Sequence, residues 1–124
     1  MTRTRQLGQA GEAAAAAHME RLGWQVLSQN WRPSDRSLRG ELDLVADDGF
    51  ETVFCEVKTR SGTGAGDPLE AITPEKVRQL RRLASAWLIE HNLPYRTVRF
   101  DVIGVYWPLS AIAPTIEHRR DVVG

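Results

Sequence analysis

Two short segments of this chain, Gly40-Glu41-Leu42-Asp43-Leu44-Val45 and Val53-Phe54-Cys55-Glu56-Val57-Lys58, have the make-up of buried strands interrupted by charge. Three carboxylates and a lysine are costly to place where a sheet meets its core. A fold that puts them there needs a reason to keep them.

Between the segments lies Asp47-Asp48-Gly49-Phe50, whose Asp-Gly pair signals a two-residue hairpin turn. With Asp48 and Gly49 as the turn, Asp47 faces Phe50, Asp43 falls opposite Phe54, and Glu41 falls opposite Glu56. Alternation then puts Glu41, Asp43, Phe54, Glu56 and Lys58 on one face, and Leu42, Leu44, Val53, Cys55 and Val57 on the other. Asp43 and Glu56 become diagonal cross-strand neighbours, their backbones about 7–8 Å apart, close enough to lean toward one ion.

Two carboxylates that close repel, and one tends to keep a proton. A hard divalent cation such as Mg²⁺, or Mn²⁺ in its place, removes the conflict because it prefers a few carboxylate oxygens and makes water more acidic. Lys58 follows Glu56 by two and points to the same side, where its ammonium can stabilise charge on a phosphate. These parts suit metal-assisted hydrolysis of a phosphodiester. The plainer alternative is a solvated hairpin face with cross-strand ion pairs of little energetic value. Phe54 amid the charges, and the strongly apolar opposite face, argue instead for a sheet covered on both sides.

The pattern of Asp43 followed thirteen positions later by Glu56-Val57-Lys58 resembles the PD-(D/E)XK motif of the restriction-endonuclease-like superfamily. Three common residues match by chance often, but a longer series resembles the YraN-like family of small bacterial proteins. That series comprises Gly8-Gln9-Ala10-Gly11-Glu12, Asn30-Trp31-Arg32, Gly40 to Val45, Phe54 to Arg60, Lys76, and Arg99-Phe100-Asp101-Val102. Leu42 stands where the superfamily motif has proline. The resemblance implies a nuclease-like fold with Asp43 and Glu56 as metal ligands and Lys58 as the catalytic lysine. It also implies kinship with archaeal-type Holliday junction resolvases, whose first helix carries a further acid; Glu12 occupies that place, as a catalytic residue and a ligand to a second ion. A DNA partner follows from the same resemblance, and a twofold pair of chains is compatible with it.

The remaining composition sets bounds. At 124 residues the chain reads as one domain with an ordinary hydrophobic core, its extreme C-terminal residues forming a loose, charged tail. A lone Cys55 forms no internal disulfide and reads as a small core residue in a reducing cytoplasm. No continuous apolar stretch suggests a signal peptide or a membrane span, which points to a cytoplasmic protein without a membrane partner. Sixteen basic and sixteen acidic side chains cancel, so affinity for nucleic acid has to come from how charge is distributed.

Gln6 to Leu22 reads as a helix stopped by Gly23, Trp24 to Trp31 as a first strand, and Pro33 to Gly40 as an exposed loop. After the hairpin, Ser61 to Pro68 is a glycine-rich connection. It lacks the endings of a P-loop or a dinucleotide fingerprint, so no nucleotide cofactor is expected; it is a plain connector or a loop closing over substrate backbone. Thr73-Pro74 starts a second helix whose face of Val77, Leu80, Ala84, Trp87 and Leu88 is apolar, and Asn92 and Pro94 end it. Arg78, Arg81 and Arg82 gather on another side, either solvated or set against phosphates, and Lys76 flanks the apolar face on the way to the site. With Lys76, Arg78 and Arg82, Arg60 and Arg32 are the candidate nucleic-acid contacts.

Thr97 to Trp107 reads as a strand in which Arg99 pairs with Asp101, and Thr115 to His118 as an edge strand. The order αβββαβ fits an α/β sandwich on a mixed central sheet, the core order of the restriction-endonuclease-like superfamily. His18, His91 and His118 are scattered without metal-ligand spacing, and the four tryptophans read as core, with Trp31 the one placed to touch a substrate. Two functions stay open: a Mg²⁺-dependent endonuclease on branched or otherwise structured DNA, and a catalytically silent nucleic-acid-binding or protein-interaction module of the same shape.

Overall fold

Each of the two charged segments forms a strand, and the strands lie side by side in the middle of a five-stranded sheet. In the computed structural model, which describes residues 3–62, 66–93 and 97–123, the elements run α1 (Arg3–Arg21), β1 (Gln25–Trp31), β2 (Leu42–Asp47), β3 (Thr52–Arg60), a 3-10 turn (Pro68–Ala71), α2 (Pro74–Glu90), β4 (Val98–Tyr106) and β5 (Thr115–Arg119). The sheet order follows the chain order, and only the β3–β4 pair is parallel. That pair needs a crossover, which α2 supplies. The architecture is a mixed α/β sheet in the expected element order, with β5 added at the edge.

One helix covers each face. On one side α1 packs Ala15, Ala16 and Met19 against Leu44, Ala46, Val53, Cys55, Val57, Ile103 and Val105. On the other, α2 packs Leu80, Leu83, Ala84 and Trp87 against Leu42, Val45, Phe54 and Phe100. Each large side chain buried this way contributes roughly 1.5–3 kcal/mol. Cys55 sits in the first of these cores, 3% exposed, and burial pushes its thiol pKa up, so it behaves as a core residue. No helix among the described residues is long and apolar enough to cross a membrane.

Local chemistry sets the helix ends. Trp24 N–H donates to Met19 C=O and Gly23 N–H to Glu20 C=O, both at 3.0 Å, with Gly23 at φ 87. This double closure requires a left-handed residue, and glycine supplies it without strain. Thr73 Oγ1 accepts from Lys76 N–H at 3.1 Å and Pro74 opens α2, while Asn92 at φ 48 follows its end. Pro94, expected to help stop α2, and Thr63 to Ala65 of the glycine-rich connection lie outside the described residues.

Three local expectations are corrected. The hairpin is not a two-residue turn: Asp47 pairs with Thr52 and Leu44 with Cys55, so Asp43 lies opposite Glu56 instead of Phe54. Side-chain bonding explains the longer turn, because Asp48 Oδ1 accepts from Phe50 N–H at 2.8 Å and from Glu51 N–H at 2.7 Å. A slip of two residues preserves the faces. Leu42, expected beside Leu44, packs instead with Val45 and Phe54 on the α2 side. The alternation breaks at Asp43, where the register places Asn30 opposite it with φ 51. The C-terminal segment is held as far as Val123: Val122 N–H donates to Phe100 C=O at 2.8 Å, and Val122 and Val123 pack on the α2-side core.

A polar network that linear spacing does not announce ties the hairpin turn to β4 and β5. Arg99 donates to fully buried Asp101 through Nε at 2.8 Å and Nη2 at 3.0 Å, and to Asp48 through Nη1 at 2.7 Å. Asp101 also accepts from Asp121 N–H at 3.0 Å and meets His118 Nε2 at 2.8 Å, and His118 Nδ1 lies 3.0 Å from His18 Nε2. The expected Arg99–Asp101 pair is therefore one link in a chain joining α1, the hairpin turn, β4 and β5.

Candidate functional site

Asp43 stands where β2 parts from β3. Backbone pairing runs from Asp47–Thr52 to Leu44–Cys55; beyond it, Asp43 Oδ2 accepts from Val57 N–H at 2.9 Å. Two glycines bring the helices to this fork. A methyl group on Gly11 would overlap the Thr59 side chain, so the bare backbone lets α1 approach β3 and carries Glu12 with it. Gly40, at φ 110, leaves no room for a methyl beside the Gln79 amide, so α2 closes onto the start of β2 and brings Lys76 near.

Four carboxylates converge. Glu12, Glu41 and Asp43 each offer an oxygen within 4.8 Å of the others. The Asp43 charge acts on both Glu12 and Glu56, and Lys76 Nζ lies 3.4 Å from Glu56 Oε1. The Asn30 amide, turned nitrogen-inward, donates to Glu12 and to Glu41. Crowded acids that have partly left water hold their protons. Burial, then the charges of Asp43, Glu41 and Glu56, raise the Glu12 pKa to about 7. Burial and Asp43 likewise raise Glu56 to about 7, against the pull of Lys76 and Lys58. Asp43 is also raised, chiefly by burial, with the Val57 N–H pulling the other way.

This donor set fits a hard divalent cation. It is made of oxygens, and it opens to solvent through a cleft of about 660 Å³ in which Arg5, Gly8, Gln9, Asn30 and Arg32 surround Glu12 and Glu41. Water can therefore fill the coordination positions that protein oxygens leave.

Of the residues singled out in the sequence, Asp43, Glu56 and Glu12 are brought together. Lys58 is exposed, and its charge lowers the Glu56 pKa. Lys76 lies deeper than that: its side chain is 27% exposed and paired to Glu56. Arg32 pairs with Glu41 at 3.1 Å from an exposed position. Arg82 lines a groove of about 1160 Å³ together with Arg39, Lys76, Gln79 and Arg81. Arg78 is exposed on α2 and outside the set lining that groove, and Arg60 faces a different cavity, between the end of β3 and β5. Trp31 packs against the α2-side core with its ring 6.1 Å from that of His91, so it serves the core and not the groove.

The sequence places Glu41 on the same face as Asp43 without giving it a part in the site; in the structure it lies just before β2. Asn30 was visible only as a neighbour of Trp31. Its left-handed backbone opposite Asp43 is a consequence of tertiary pairing that no local motif announces.

Residues 11–105 match the uncharacterised protein family UPF0102. That span contains Glu12, Glu41, Asp43, Glu56, Lys58 and Lys76. A UPF0102 protein of Acidothermus cellulolyticus is 46% identical over 124 residues, covering 92% of this chain and 90% of its own length. One from Frankia casuarinae is 47% identical over 114 residues, covering 92% of each chain. One from Mycobacterium avium is 51% identical over 107 residues, covering 85% of this chain and 80% of its own. By match length and by identity, the chain belongs to the uncharacterised protein family UPF0102.

Proposed function

We propose that this chain is a Mg²⁺- or Mn²⁺-dependent endonuclease with a restriction-endonuclease-like fold, hydrolysing phosphodiester bonds of branched or otherwise structured DNA in the cytoplasm. The observation that carries this reading is the meeting of Glu12, Glu41, Asp43 and Glu56 at one fork of the sheet, with two of their pKa values raised to about 7. Such a cluster is unstable without positive charge, and a divalent cation is the partner its oxygens suit. When bound, that ion supplies Lewis acidity, drawing charge from a phosphate oxygen and making water more acidic.

The chain's own residues have separable tasks. Asp43, Glu56 and Glu12 hold the cation, with Glu41 beside them and Asn30 fixing the Glu12 and Glu41 carboxylates. Lys58, exposed at the rim, meets the phosphate under attack. Arg82, Arg81 and Arg39 line a groove continuous with Lys76, so a polynucleotide backbone in that groove runs up to the acids.

Cleavage of plasmid, single-stranded and four-way-junction DNA with Mg²⁺ or Mn²⁺ tests the proposal. Wild type should cut at least one of these, and Glu56→Ala and Lys58→Ala should each lose the activity. Cutting that survives both substitutions rejects this site. DNA binding without cutting on any substrate supports the silent module instead.

A further inference from the structure

Lys76 is in an unexpected place for a lysine. It is the third residue of α2, where the helix dipole favours acids and opposes cations, and Glu75 next to it is the residue type that position prefers. Helix energetics therefore do not account for Lys76, but its ammonium does something specific. Nζ lies 3.4 Å from Glu56 Oε1, with the two side chains 27% and 14% exposed. Among the described residues, Arg5 lines the acid cleft, Arg32 pairs with Glu41 and Lys58 acts on Glu56 by its charge, all three from exposed positions. Lys76 is the cation drawn inward.

The same side chain also lines the groove that holds Arg39, Gln79, Arg81 and Arg82. A lysine has a flexible four-carbon stem, so its ammonium can exchange one side for the other while the helix stays fixed. The helix itself is held by the Thr73 cap and by Leu80, Leu83, Ala84 and Trp87 in the core.

We propose that Lys76 is a resident counter-ion of the acidic site: it neutralises Glu56 until a divalent cation binds, then turns its ammonium into the groove, where it contacts a phosphate. The inference rests on the nuclease reading above and adds a regulatory step to it. Two cations at Glu56 repel each other, so metal and Lys76 compete for it. By linkage, removing Lys76 must then strengthen metal binding, and metal must loosen Lys76. Cation loading thereby readies the groove for the backbone.

The test needs no substrate. Mn²⁺ is titrated calorimetrically into wild type, Lys76→Met and Lys76→Arg, with Asp43→Asn as the site control. Lys76→Met keeps the stem and loses the charge; it should bind Mn²⁺ on the order of tenfold tighter and melt lower than wild type when metal-free. Lys76→Arg keeps the charge and should bind no tighter than wild type. Independently, the Lys76 ¹³Cε signal of the wild-type protein should shift on saturation with Mg²⁺. If Mn²⁺ binds wild type and not Asp43→Asn, yet Lys76→Met binds no tighter or the ¹³Cε signal stays put, the counter-ion role is overturned and the metal site stands. If Mn²⁺ binds wild type no better than Asp43→Asn, both proposals fall together.

Discussion

Asp43 Oδ2 accepts a hydrogen bond from the backbone N–H of Val57 at 2.9 Å, just beyond the last backbone pair between β2 and β3. One carboxylate thus serves two ends. It satisfies a main-chain donor at the fork of the sheet, and it belongs to the cluster that Glu12 and Glu41 complete.

These two roles can be separated by substitution. Asparagine keeps an oxygen for Val57 N–H and removes the charge, so Asp43→Asn should change metal-free stability by no more than about 1 kcal/mol. The rise in melting temperature that Mn²⁺ gives the wild type should disappear. Asp43→Ala removes the acceptor as well, and should cost about 1–3 kcal/mol. Thermal melts with and without Mn²⁺ decide the matter; an Asp43→Asn protein that responds to Mn²⁺ like wild type would falsify the assignment of Asp43 as a ligand.

The raised pKa values of Glu12 and Glu56 predict an unusual slope. Each carboxyl group titrates near 4.5 when unfolded and near 7 when folded. Between those values the folded state binds more protons, so stability falls as pH rises from about 4.5 to about 7 and levels off above. His18 opposes this, because its pKa is lowered, chiefly by burial and by His118, and its contribution weakens as pH falls below 6.5. Two carboxyl groups with large shifts outweigh one half-exposed imidazole. Metal-free protein should therefore melt several degrees lower at pH 8 than at pH 5.5, Glu12→Gln with Glu56→Gln should flatten the profile, and saturating Mn²⁺ should recover the loss at pH 8. A metal-free melting temperature that rises over this range in wild type would contradict the clustering.

Much of this arrangement is legible in the sequence because sheet alternation is strict. Asp43 and Glu56 share their surroundings whether the hairpin turn has two residues or four, since a slip of two preserves the faces. The turn length is not legible in the sequence, because Asp48 gives its carboxylate to the N–H groups of Phe50 and Glu51, which an Asp-Gly pair does not reveal. The switch of Leu42 to the α2 side occurs beside Asn30 of the neighbouring strand, whose φ is 51. The meeting of His18 with His118 spans a sequence separation of 100 residues, and nothing local in either segment points to the other.

Gly11 offers a structural test of how Glu12 is positioned. A methyl group there would overlap Thr59, so Gly11→Ala should force α1 and β3 apart at a cost of about 1–3 kcal/mol. The displacement moves Glu12 away from Glu41 and Asp43 and should weaken Mn²⁺ binding as well. Thr59→Ala removes the atoms that would clash most, so the double variant should recover part of both losses. Additive losses in a double-mutant cycle would show that the close approach is not what Gly11 provides.

Asp101, the register partner of Cys55 on the neighbouring strand, anchors the second polar network. Its carboxylate is fully buried and accepts from Arg99, His118 and the Asp121 N–H, and those bonds outweigh burial and hold its pKa below the usual carboxylate value. Unfolded, it titrates near 3.8; folded, it titrates lower, so its stabilisation is complete above 3.8 and vanishes as pH falls through the folded value. Asp101→Asn leaves Arg99 with the Asp48 and Glu51 carboxylates alone. Breaking a buried pair from one side costs about 3 kcal/mol or more, which for a chain of this length lowers the melting temperature by roughly 10 °C. The variant should also lose the part of acid denaturation that Asp101 drives, so its disadvantage against wild type should shrink as pH approaches 3. Melts from pH 3 to pH 7 check both the size and the slope, and a deficit that stays constant across that range would mean that packing, not charge, explains why Asp101 is buried.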